Sequence, residues 1–298
     1  MTDIVHACGF CAIIGAPNAG KSTLVNQLAG TKVSIVSHKV QTTRARLRAI
    51  VMAGETQIIF VDTPGIFSPK RKLDEAMVGS AWGGAGEADA VAVLVDGRKG
   101  AGEDFQRIVE GLKRSRLTAM LVINKIDLIK REELLALSAQ LNEAYGFSDT
   151  FMVSALNGSG VDDLRQAIAL KMPAGEWLYP DDQVADVQLR FMAAEITREK
   201  VYERLHDELP YSSTVETESW EERKDGSVKI DQVVYVERDS QKAIVLGKGG
   251  QTVKLLGQLA RAEMEKAFER KVHLFLFVKV REGWARDPER LRMMGLDV

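Results

Sequence analysis

The hydrophobic pattern separates the chain into two parts, and in the first part apolar runs alternate with helical stretches. Continuous apolar runs such as residues 90–95 and 119–123 are typical of parallel strands buried on both faces. The predicted strands are residues 10–14, 46–52, 57–61, 90–95, 119–123 and 151–153. The predicted helices, with apolar residues at helical spacing, are residues 23–28, 103–115, 131–145 and 161–172. This alternation predicts an α/β fold with a doubly wound sheet.

One pair of strands is expected to run antiparallel. Residues 46–52 and 57–61 are joined by only four residues, a connection typical of a hairpin. The sheet is therefore predicted to be mixed. Residues 31–43, which precede the hairpin, are polar with little periodicity, as in a mobile loop.

The second part of the chain follows a different order of elements. The prediction is a helix at 188–209, strands at 213–221 and 227–236, two helices around 243–257, a strand at 273–280 and a short helix at 288–296. With 298 residues the chain is long enough for about two domains. A polar, proline-marked stretch separates them, so we predict a first domain at 1–175, a linker at 176–184 and a second, α+β domain at 185–298.

The charge is distributed unevenly along the chain. The net charge is −2, but residues 241–298 contain 12 Lys and Arg against 7 Asp and Glu, directly after a segment with 8 against 16. Contact with a polyanion is therefore expected near the C-terminus. No window approaches the roughly 20 apolar residues of a membrane span, and residues 1–6 lack the layout of a secretory signal. We expect a cytoplasmic protein.

A phosphate-binding loop is indicated at Gly15–Ser22, whose sequence GAPNAGKS lies between the first strand and the first helix. Its glycines let backbone N–H groups converge on phosphate at the positive end of a helix. Lys21 is expected to reach the β- and γ-phosphates, and Ser22 to ligate Mg²⁺. The alternative is a chance glycine-rich turn, which this context disfavours.

A second segment, Asp62-Thr63-Pro64-Gly65, ends the strand beside that loop. Asp62 is expected to support Mg²⁺ through water, while the N–H of Gly65 approaches a γ-phosphate. In isolation the segment could equally be an ordinary turn.

A third segment, Asn124-Lys125-Ile126-Asp127, indicates which nucleotide is bound. The carboxylate of Asp127 matches the adjacent N1–H and amine of guanine, whereas adenine would leave it unpaired. Asn124 and Lys125 are expected to brace the loops around the base. Ser154 and Ala155 are expected to offer a backbone N–H to the guanine oxygen.

Taken in this order, these segments and the Thr42-Thr43-Arg44 stretch resemble the translation-factor-related GTPases. The resemblance implies that Thr43 senses Mg²⁺ and the γ-phosphate, and it gives Lys21, Thr43, Gly65 and Asn18 as catalytic residues. The predicted GTP-binding residues are Gly15, Ala16, Pro17, Asn18, Ala19, Gly20, Lys21, Ser22, Thr23, Asp62, Thr63, Pro64, Gly65, Ile66, Asn124, Lys125, Ile126, Asp127, Ser154, Ala155 and Leu156. The predicted Mg²⁺ ligands are Ser22, Thr43 and Asp62.

Two positions bear on the rate of hydrolysis. Ile66 stands where Ras-like proteins carry the glutamine that orients water, so we expect slow intrinsic hydrolysis. Asn18 matches the asparagine that helps to hold K⁺ in potassium-activated relatives, which makes K⁺ a candidate cofactor beside Mg²⁺. Asn18 could instead be a turn-forming residue.

In the second part, the G-x-x-G loop Gly247-Lys248-Gly249-Gly250 lies between two helical stretches. Such a loop can clamp a phosphodiester chain, although a tight helix connection would have the same pattern. The order of helix, two strands, helix, G-x-x-G, helix and strand resembles a type II KH domain. The resemblance implies binding of single-stranded RNA by Gly247, Lys248, Gly249, Gly250 and Lys254.

Joined in one chain, the two domains resemble the bacterial Era family of GTPases along nearly the whole length. The resemblance implies a GTP-driven switch that binds 16S ribosomal RNA near its 3′ end and acts in assembly of the 30S subunit. It also implies peripheral association with the inner membrane, and we expect a monomer. Two alternatives remain, an RNA-binding assembly protein whose nucleotide only regulates docking, and a small-molecule kinase, which Asn124–Asp127 disfavours.

Overall fold

The computed structural model describes residues 6–186, 188–293 and 296, so most of the stretch considered above for a secretory signal lies outside the described residues. The chain divides after Asp186 into two compact units. No helix in the described ranges has the length and apolar character that crossing a membrane requires.

The first unit is built on a six-stranded sheet with the strand order β2-β3-β1-β4-β5-β6. Its strands are β1 (Ala7–Gly15), β2 (Leu47–Ala53), β3 (Thr56–Asp62), β4 (Ala90–Asp96), β5 (Met120–Asn124) and β6 (Thr150–Val153). β2 and β3 are antiparallel, and the other neighbours are parallel. The predicted mixed sheet is confirmed.

Helices cover this sheet in the way that its apolar strands require. They are α1 (Lys21–Ala29), α2 (Lys72–Glu87), α3 (Glu103–Ser115), α4 (Arg131–Ala144) and α5 (Val161–Ala169). Residues of α2, α3 and α4 share one buried cluster with Ile14, Val93 and Ile123 of the strands. α1 and α5 contact each other and β3. The doubly wound fold is therefore confirmed.

Helix α2 has no counterpart in the elements predicted from the sequence. Its buried face repeats every four residues, through Leu73, Met77, Ala81 and Ala85, but half of this face is alanine. Four glycines in α2 weaken the helical pattern further, because glycine is a poor helix former. Gly83 lies beside the guanidinium group of Arg46, since a Cβ at this position would lie 2.4 Å from Nη2 of Arg46.

Residues 176–184, the predicted linker, lie within the first unit. Gln57, fully buried on β3, accepts hydrogen bonds from the backbone N–H groups of Leu178 and Tyr179 at 2.9 and 3.0 Å. Farther along, the N–H of Ile50 donates to the carbonyl of Val184 at 3.0 Å. The segment thus adds a short antiparallel pairing to the outer edge of β2.

The second unit contains a three-stranded sheet with the order β7-β8-β9. Its elements are α6 (Leu189–Arg204), β7 (Ser213–Glu222), β8 (Val228–Val236), α7 (Asp239–Leu246), α8 (Gln251–Phe268), β9 (Val272–Val280) and α9 (Pro288–Met293). β7 and β8 are antiparallel, whereas β8 and β9 are parallel. The predicted order of elements is observed, although α6 ends five residues before the predicted residue 209.

The early end of α6 has a simple cause. Leu205 and Leu209 keep the apolar spacing of the helix and remain buried in the same cluster, but they do so from a turn that leads to Pro210. Periodicity alone could not distinguish this turn from a further helical turn. In the predicted tail helix, residues 294 and 295 lie outside the described residues.

Candidate functional site

The carboxyl ends of four adjacent strands bring the predicted nucleotide residues together. β3, β1, β4 and β5 end at Asp62, Gly15, Asp96 and Asn124, and the sheet order makes these strand ends neighbours. In open α/β sheets, ligands bind in the crevice outside such strand ends. The candidate site therefore lies where the fold places ligands most often.

The loop after β1 wraps around the side chain of Lys21. Nζ of Lys21 donates to the carbonyls of Gly15 at 3.1 Å and Ala16 at 3.0 Å. Burial lowers the pKa of Lys21 to about 8, against the opposing effect of the Asp62 charge. Phosphate oxygens would supply the counter-charge that this buried ammonium group lacks.

Gly20 is required by its neighbours and by its own backbone. It has φ of 100°, a conformation that favours glycine, and a Cβ there would lie 2.3 Å from Nδ2 of Asn124. The next residues, Lys21, Ser22 and Thr23, form the first turn of α1. The N–H groups of that turn face the loop, as an anion site at a helix N-terminus requires.

Three side-chain oxygen atoms lie close together, those of Ser22, Thr43 and Asp62. Oγ of Ser22 donates to Oδ2 of Asp62 at 2.8 Å and lies 2.8 Å from Oγ1 of Thr43. Oγ1 of Thr43 donates to the same carboxylate oxygen at 3.3 Å. Thr42 instead donates to the carbonyl of Lys39, so Thr43 is the threonine that reaches Asp62.

This group has the chemistry that Mg²⁺ requires. Among the described residues, Oδ1 of Asp62 has no hydrogen-bond partner although it is buried. Burial raises the pKa of Asp62 despite the hydroxyl groups and Lys21 around it. A divalent cation would satisfy the free oxygen and stabilise the ionised carboxylate.

Ser34 belongs to the same group, and the sequence analysis did not assign it a role. Its hydroxyl donates to Oδ2 of Asp62 at 2.7 Å. The side chain of Asn26 holds the Ser34 backbone, accepting from its N–H at 2.8 Å and donating to its carbonyl at 2.7 Å. No motif marks Ser34, because its position depends on the path of the 31–43 loop.

The segment after Asp62 packs against the phosphate loop. A Cβ on Gly65 would lie 2.9 to 3.1 Å from three atoms of Pro17, so only glycine fits without a shift. The hydroxyl of Thr63 donates to the carbonyl of Ile13 at 2.8 Å, and Pro64 is buried beside it. These contacts hold the two loops together.

Ile66 points away from the candidate site. Its side chain is fully buried and belongs to the apolar cluster that contains Ala81 and Ala85 of α2. Its backbone N–H donates to the carbonyl of Gly15 at 3.0 Å. The side chain therefore cannot position a water molecule in the site.

Asn124 joins three segments of the candidate site. Its Nδ2 donates to the carbonyl of Ala19 at 2.8 Å. Its Oδ1 accepts from the N–H groups of Lys125 at 2.8 Å and Ala155 at 2.9 Å. Ser154 and Ala155 are buried, whereas Asp127 and Leu156 are exposed at the rim, and Ile126 starts the short turn that contains Asp127.

Asp96 is a second residue that the sequence analysis missed. Nζ of Lys125 donates to Oδ2 of Asp96 and to the carbonyl of Asn18, each at 2.7 Å. Arg98 also donates to Asp96, whose side chain is only 3% exposed. Burial raises the pKa of Asp96, but the hydrogen bonds from Arg98 and Lys125 outweigh burial and lower it.

Asn18 connects the phosphate loop to the 31–43 loop. Its Nδ2 donates to the carbonyl of His38 at 2.8 Å, and its backbone has φ of 63°. A pocket opens here, lined by residues of both loops and by Gly65. The candidate K⁺ residue thus lies at the wall of this pocket.

In the second unit, the G-x-x-G loop lies between α7 and α8. Gly247, Gly249 and Gly250 have φ of 72°, 59° and 78°, so the loop uses a backbone that other residues rarely adopt. A Cβ at Gly249 or Gly250 would meet no atom within 4 Å, which leaves the backbone open on that side. Lys248 and Lys254 are both exposed.

An apolar surface adjoins this loop. Ile244 on α7 is 54% exposed and Leu255 on α8 is 43% exposed, although both are large hydrophobic residues. An open backbone, exposed lysines and apolar side chains are together suited to a nucleotide chain with unpaired bases.

Comparison with known proteins agrees with this division. A family model described as a 50S ribosome-binding GTPase matches residues 10–125, and a KH domain model matches residues 208–285. Both predicted domain types are therefore confirmed.

Relatives match along the full length. GTPase Era of Brucella suis biovar 1 is 61% identical over 289 residues, which cover 97% of this chain and 93% of that protein. GTPase Era of Mesorhizobium japonicum is 61% identical over 303 residues, covering 100% of this chain and 98% of that protein.

Two solved structures match with a TM-score of 0.92 and 37% identity, over 98% of this chain and 100% of each neighbour. One is Era of Aquifex aeolicus bound to GDP and AlF4⁻. The other is Era in complex with MgGDPNP and nucleotides 1506–1542 of 16S ribosomal RNA. The chain therefore belongs to the Era GTPase family.

Proposed function

We propose that this protein is a GTP-hydrolysing switch that binds 16S ribosomal RNA near its 3′ end and acts in assembly of the 30S subunit. One observation carries the proposal, the occurrence of two kinds of site in one chain. The first unit has a carboxylate and hydroxyl groups suited to Mg²⁺, together with the Asn124 contacts of a guanine site. The second unit has an open G-x-x-G loop. The complex of an Era relative with a 16S RNA segment supports the choice of RNA.

In the proposed reaction, the residues of the first unit bind and orient GTP. Lys21 and the N–H groups of the phosphate loop neutralise the phosphates, while Asp127 selects guanine. Mg²⁺, held by Ser22, Thr43 and Asp62, would neutralise charge on the β- and γ-phosphate oxygens. The N–H of Gly65 is available to the γ-phosphate.

Slow intrinsic hydrolysis is part of the proposal. Ile66 is buried in the core, so the side chain after Gly65 does not orient water. We propose that K⁺ near Asn18 supplies positive charge instead. Turnover in matched KCl and NaCl buffers tests this, with Asn18→Gly as the variant, because glycine tolerates the φ of 63°. Equal rates in the two salts would remove K⁺ from the mechanism.

RNA binding is assigned to the G-x-x-G loop. Gly249→Asp places a negative charge where phosphate is expected, whereas Gly249→Asn has nearly the same shape, and both side chains tolerate the left-handed backbone. The ligand is an RNA that corresponds to nucleotides 1506–1542 of 16S ribosomal RNA. We expect Gly249→Asp to weaken binding of this RNA at least tenfold more than Gly249→Asn does. Equal affinities for the two variants would overturn the assignment.

The competing function is an RNA-docking protein in which hydrolysis is incidental. In an assembly reaction with the protein at one-tenth of the concentration of the subunits, a switch must be reset by hydrolysis. GTP should then support many rounds and the non-hydrolysable analogue GDPNP about one round. Equal yields with both nucleotides would favour the competing function.

The cellular setting is also a proposal. We infer a cytoplasmic monomer with peripheral association with the inner membrane, and only the family resemblance supports the membrane association. Flotation with vesicles of inner-membrane lipid composition tests the association, and light scattering after size-exclusion chromatography tests the oligomeric state.

A further inference from the structure

Two phenylalanines lie on the open face of the second sheet, where the core does not use them. Phe275 is 47% exposed and Phe277 is 52% exposed, and both belong to the edge strand β9. Their neighbours Val272 and Val278 point to the opposite face, where they pack in the buried clusters under α6 and α8. The two rings therefore face away from α6 and α8, on the face where Arg290 of α9 lies 4.3 Å from the ring centroid of Tyr235.

The spacing of the rings suits unpaired bases. Residues two apart on a strand have the same orientation and are about 6–7 Å apart. Exposed aromatic side chains at this spacing on an open sheet are the arrangement on which other RNA-binding domains stack successive bases. A ring that faces solvent accepts any base, because every base has a π-face.

The charges on this face are already matched within the protein. Lys229 pairs with Asp231 at 3.4 Å and Glu221 at 3.8 Å, and Lys279 pairs with Glu218 at 2.8 Å. Two lysines are thus paired with three carboxylates, so the surface around the rings has no excess of positive charge. A ligand would be attracted to it by stacking rather than by its phosphates.

Lys229 lies beside the ring of Phe275. Nζ of Lys229 is 5.8 Å from the ring centroid of Phe275, close enough for a cation–π contact. A base stacked here would contact an aromatic face and a nearby cation together.

RNA on the G-x-x-G loop would have nucleotides available for this face. A KH module clamps about four nucleotides. The relative's complex contains nucleotides 1506–1542, many more than four. α7 and α8, which flank the G-x-x-G loop, both contact β9, so the edge strand adjoins the elements that would hold the RNA.

We propose that Phe275 and Phe277 form a second RNA-binding surface, which stacks unpaired bases of the RNA beyond the four held by the G-x-x-G loop. This inference rests on the RNA binding proposed above. On this proposal the sheet face binds bases of any sequence by stacking, and the G-x-x-G loop contacts the phosphates.

Paired substitutions separate stacking from general apolar contact. Phe275→Leu with Phe277→Leu keeps apolar side chains but removes the rings, whereas Phe275→Tyr with Phe277→Tyr keeps the rings. With an RNA of the sequence 1506–1542, we expect the leucine pair to weaken binding about tenfold and the tyrosine pair to bind within about twofold of the unsubstituted protein. Thermal unfolding of each variant checks the fold.

Salt and RNA length provide independent readouts. The leucine pair should leave the slope of log affinity against log salt unchanged, whereas Lys248→Ala should reduce that slope by about 0.7. A four-nucleotide RNA that competes for the loop should bind the leucine pair as it binds the unsubstituted protein. Equal losses for short and long RNA would overturn the proposal.

Other outcomes distinguish failure of this second surface from failure of the proposed RNA-binding function. If the leucine pair binds the long RNA normally while Gly249→Asp does not, the second surface is wrong and the RNA function stands. If neither variant affects binding, the RNA function of this unit fails as well. Normal RNA affinity with weaker co-sedimentation with small ribosomal subunits would assign the rings to a protein partner and overturn the proposal.

Discussion

The side-chain amide of Asn124 donates to the carbonyl of Ala19 at 2.8 Å, across 105 positions of the chain. Through this bond the end of β5 holds the phosphate loop at the end of β1. The same side chain also holds the Ser154–Ala155 segment through the N–H of Ala155.

Asn124→Ala should therefore weaken nucleotide binding indirectly, because the Asn124 side chain holds the loops around the nucleotide. Removing the amide leaves buried backbone groups at Ala19 and Ala155 unpaired, at a cost of about 1–3 kcal/mol each. We expect GDP affinity, measured by titration with a fluorescent GDP, to fall at least tenfold. Asn142→Ala is the control, since Asn142 bonds to Ser138 and Thr150 instead. Similar losses for both variants would contradict the joining role of Asn124.

Asp127→Asn should change the base that is bound. The carboxylate accepts two hydrogen bonds from guanine, whereas an amide can donate to the second oxygen of xanthine. In a competition experiment, the ratio of the affinity for xanthosine diphosphate (XDP) to the affinity for GDP should rise at least a hundredfold. Retained preference for GDP would exclude Asp127 from base recognition.

Asp96→Asn should speed nucleotide release. Lys125 would lose the carboxylate that holds its ammonium group against the phosphate loop, and hydrogen bonds to charged groups contribute about 1.5–3 kcal/mol. The dissociation rate of fluorescent GDP, measured by stopped flow, should rise about tenfold. Asp104→Asn removes a half-buried carboxylate that pairs with Arg107 instead of Lys125, and should leave the rate unchanged. An unchanged rate in Asp96→Asn would limit Asp96 to a structural role.

Gly65→Ala should affect GTP more than GDP. The added Cβ meets Pro17 and must displace the N–H that is expected to serve the γ-phosphate, which GDP lacks. Single-turnover hydrolysis should slow at least tenfold while GDP affinity changes by less than threefold. Gly86→Ala adds a Cβ to α2 in open space and should raise the free energy of unfolding by about 0.5–1 kcal/mol. Equal loss of GTP and GDP affinity in Gly65→Ala would contradict the assignment.

The sequence predicted the fold and the nucleotide segments because each depends on a local pattern. Buried parallel strands appear as unbroken apolar runs, and the residues at their ends are fixed by chemistry, as for Asp62 and Asn124. The register of the strands then brings those ends together, which the alternation with helices already implied.

Asp96, Ser34 and α2 were missed for different physical reasons. Asp96 ends an apolar run as Asp62 does, but no motif follows it. Its role depends on a contact with Lys125, which follows the neighbouring strand β5. Ser34 reaches Asp62 only because Asn26 directs the loop. Half of the apolar face of α2 is alanine and the helix contains four glycines, so its hydrophobic pattern is weak.

The burial of Ile66 fixes the chain directly after Gly65 to the core. Withdrawing this side chain from the cluster of α2 and the sheet would cost about 1.5–3 kcal/mol. Exchange of GTP for GDP should therefore leave Ile66 anchored in this cluster. The segment after Gly65 is held at two points, by Ile66 in the core and by the N–H groups of Lys70 and Arg71, which donate to Asp74 of α2 at 3.0 and 3.1 Å.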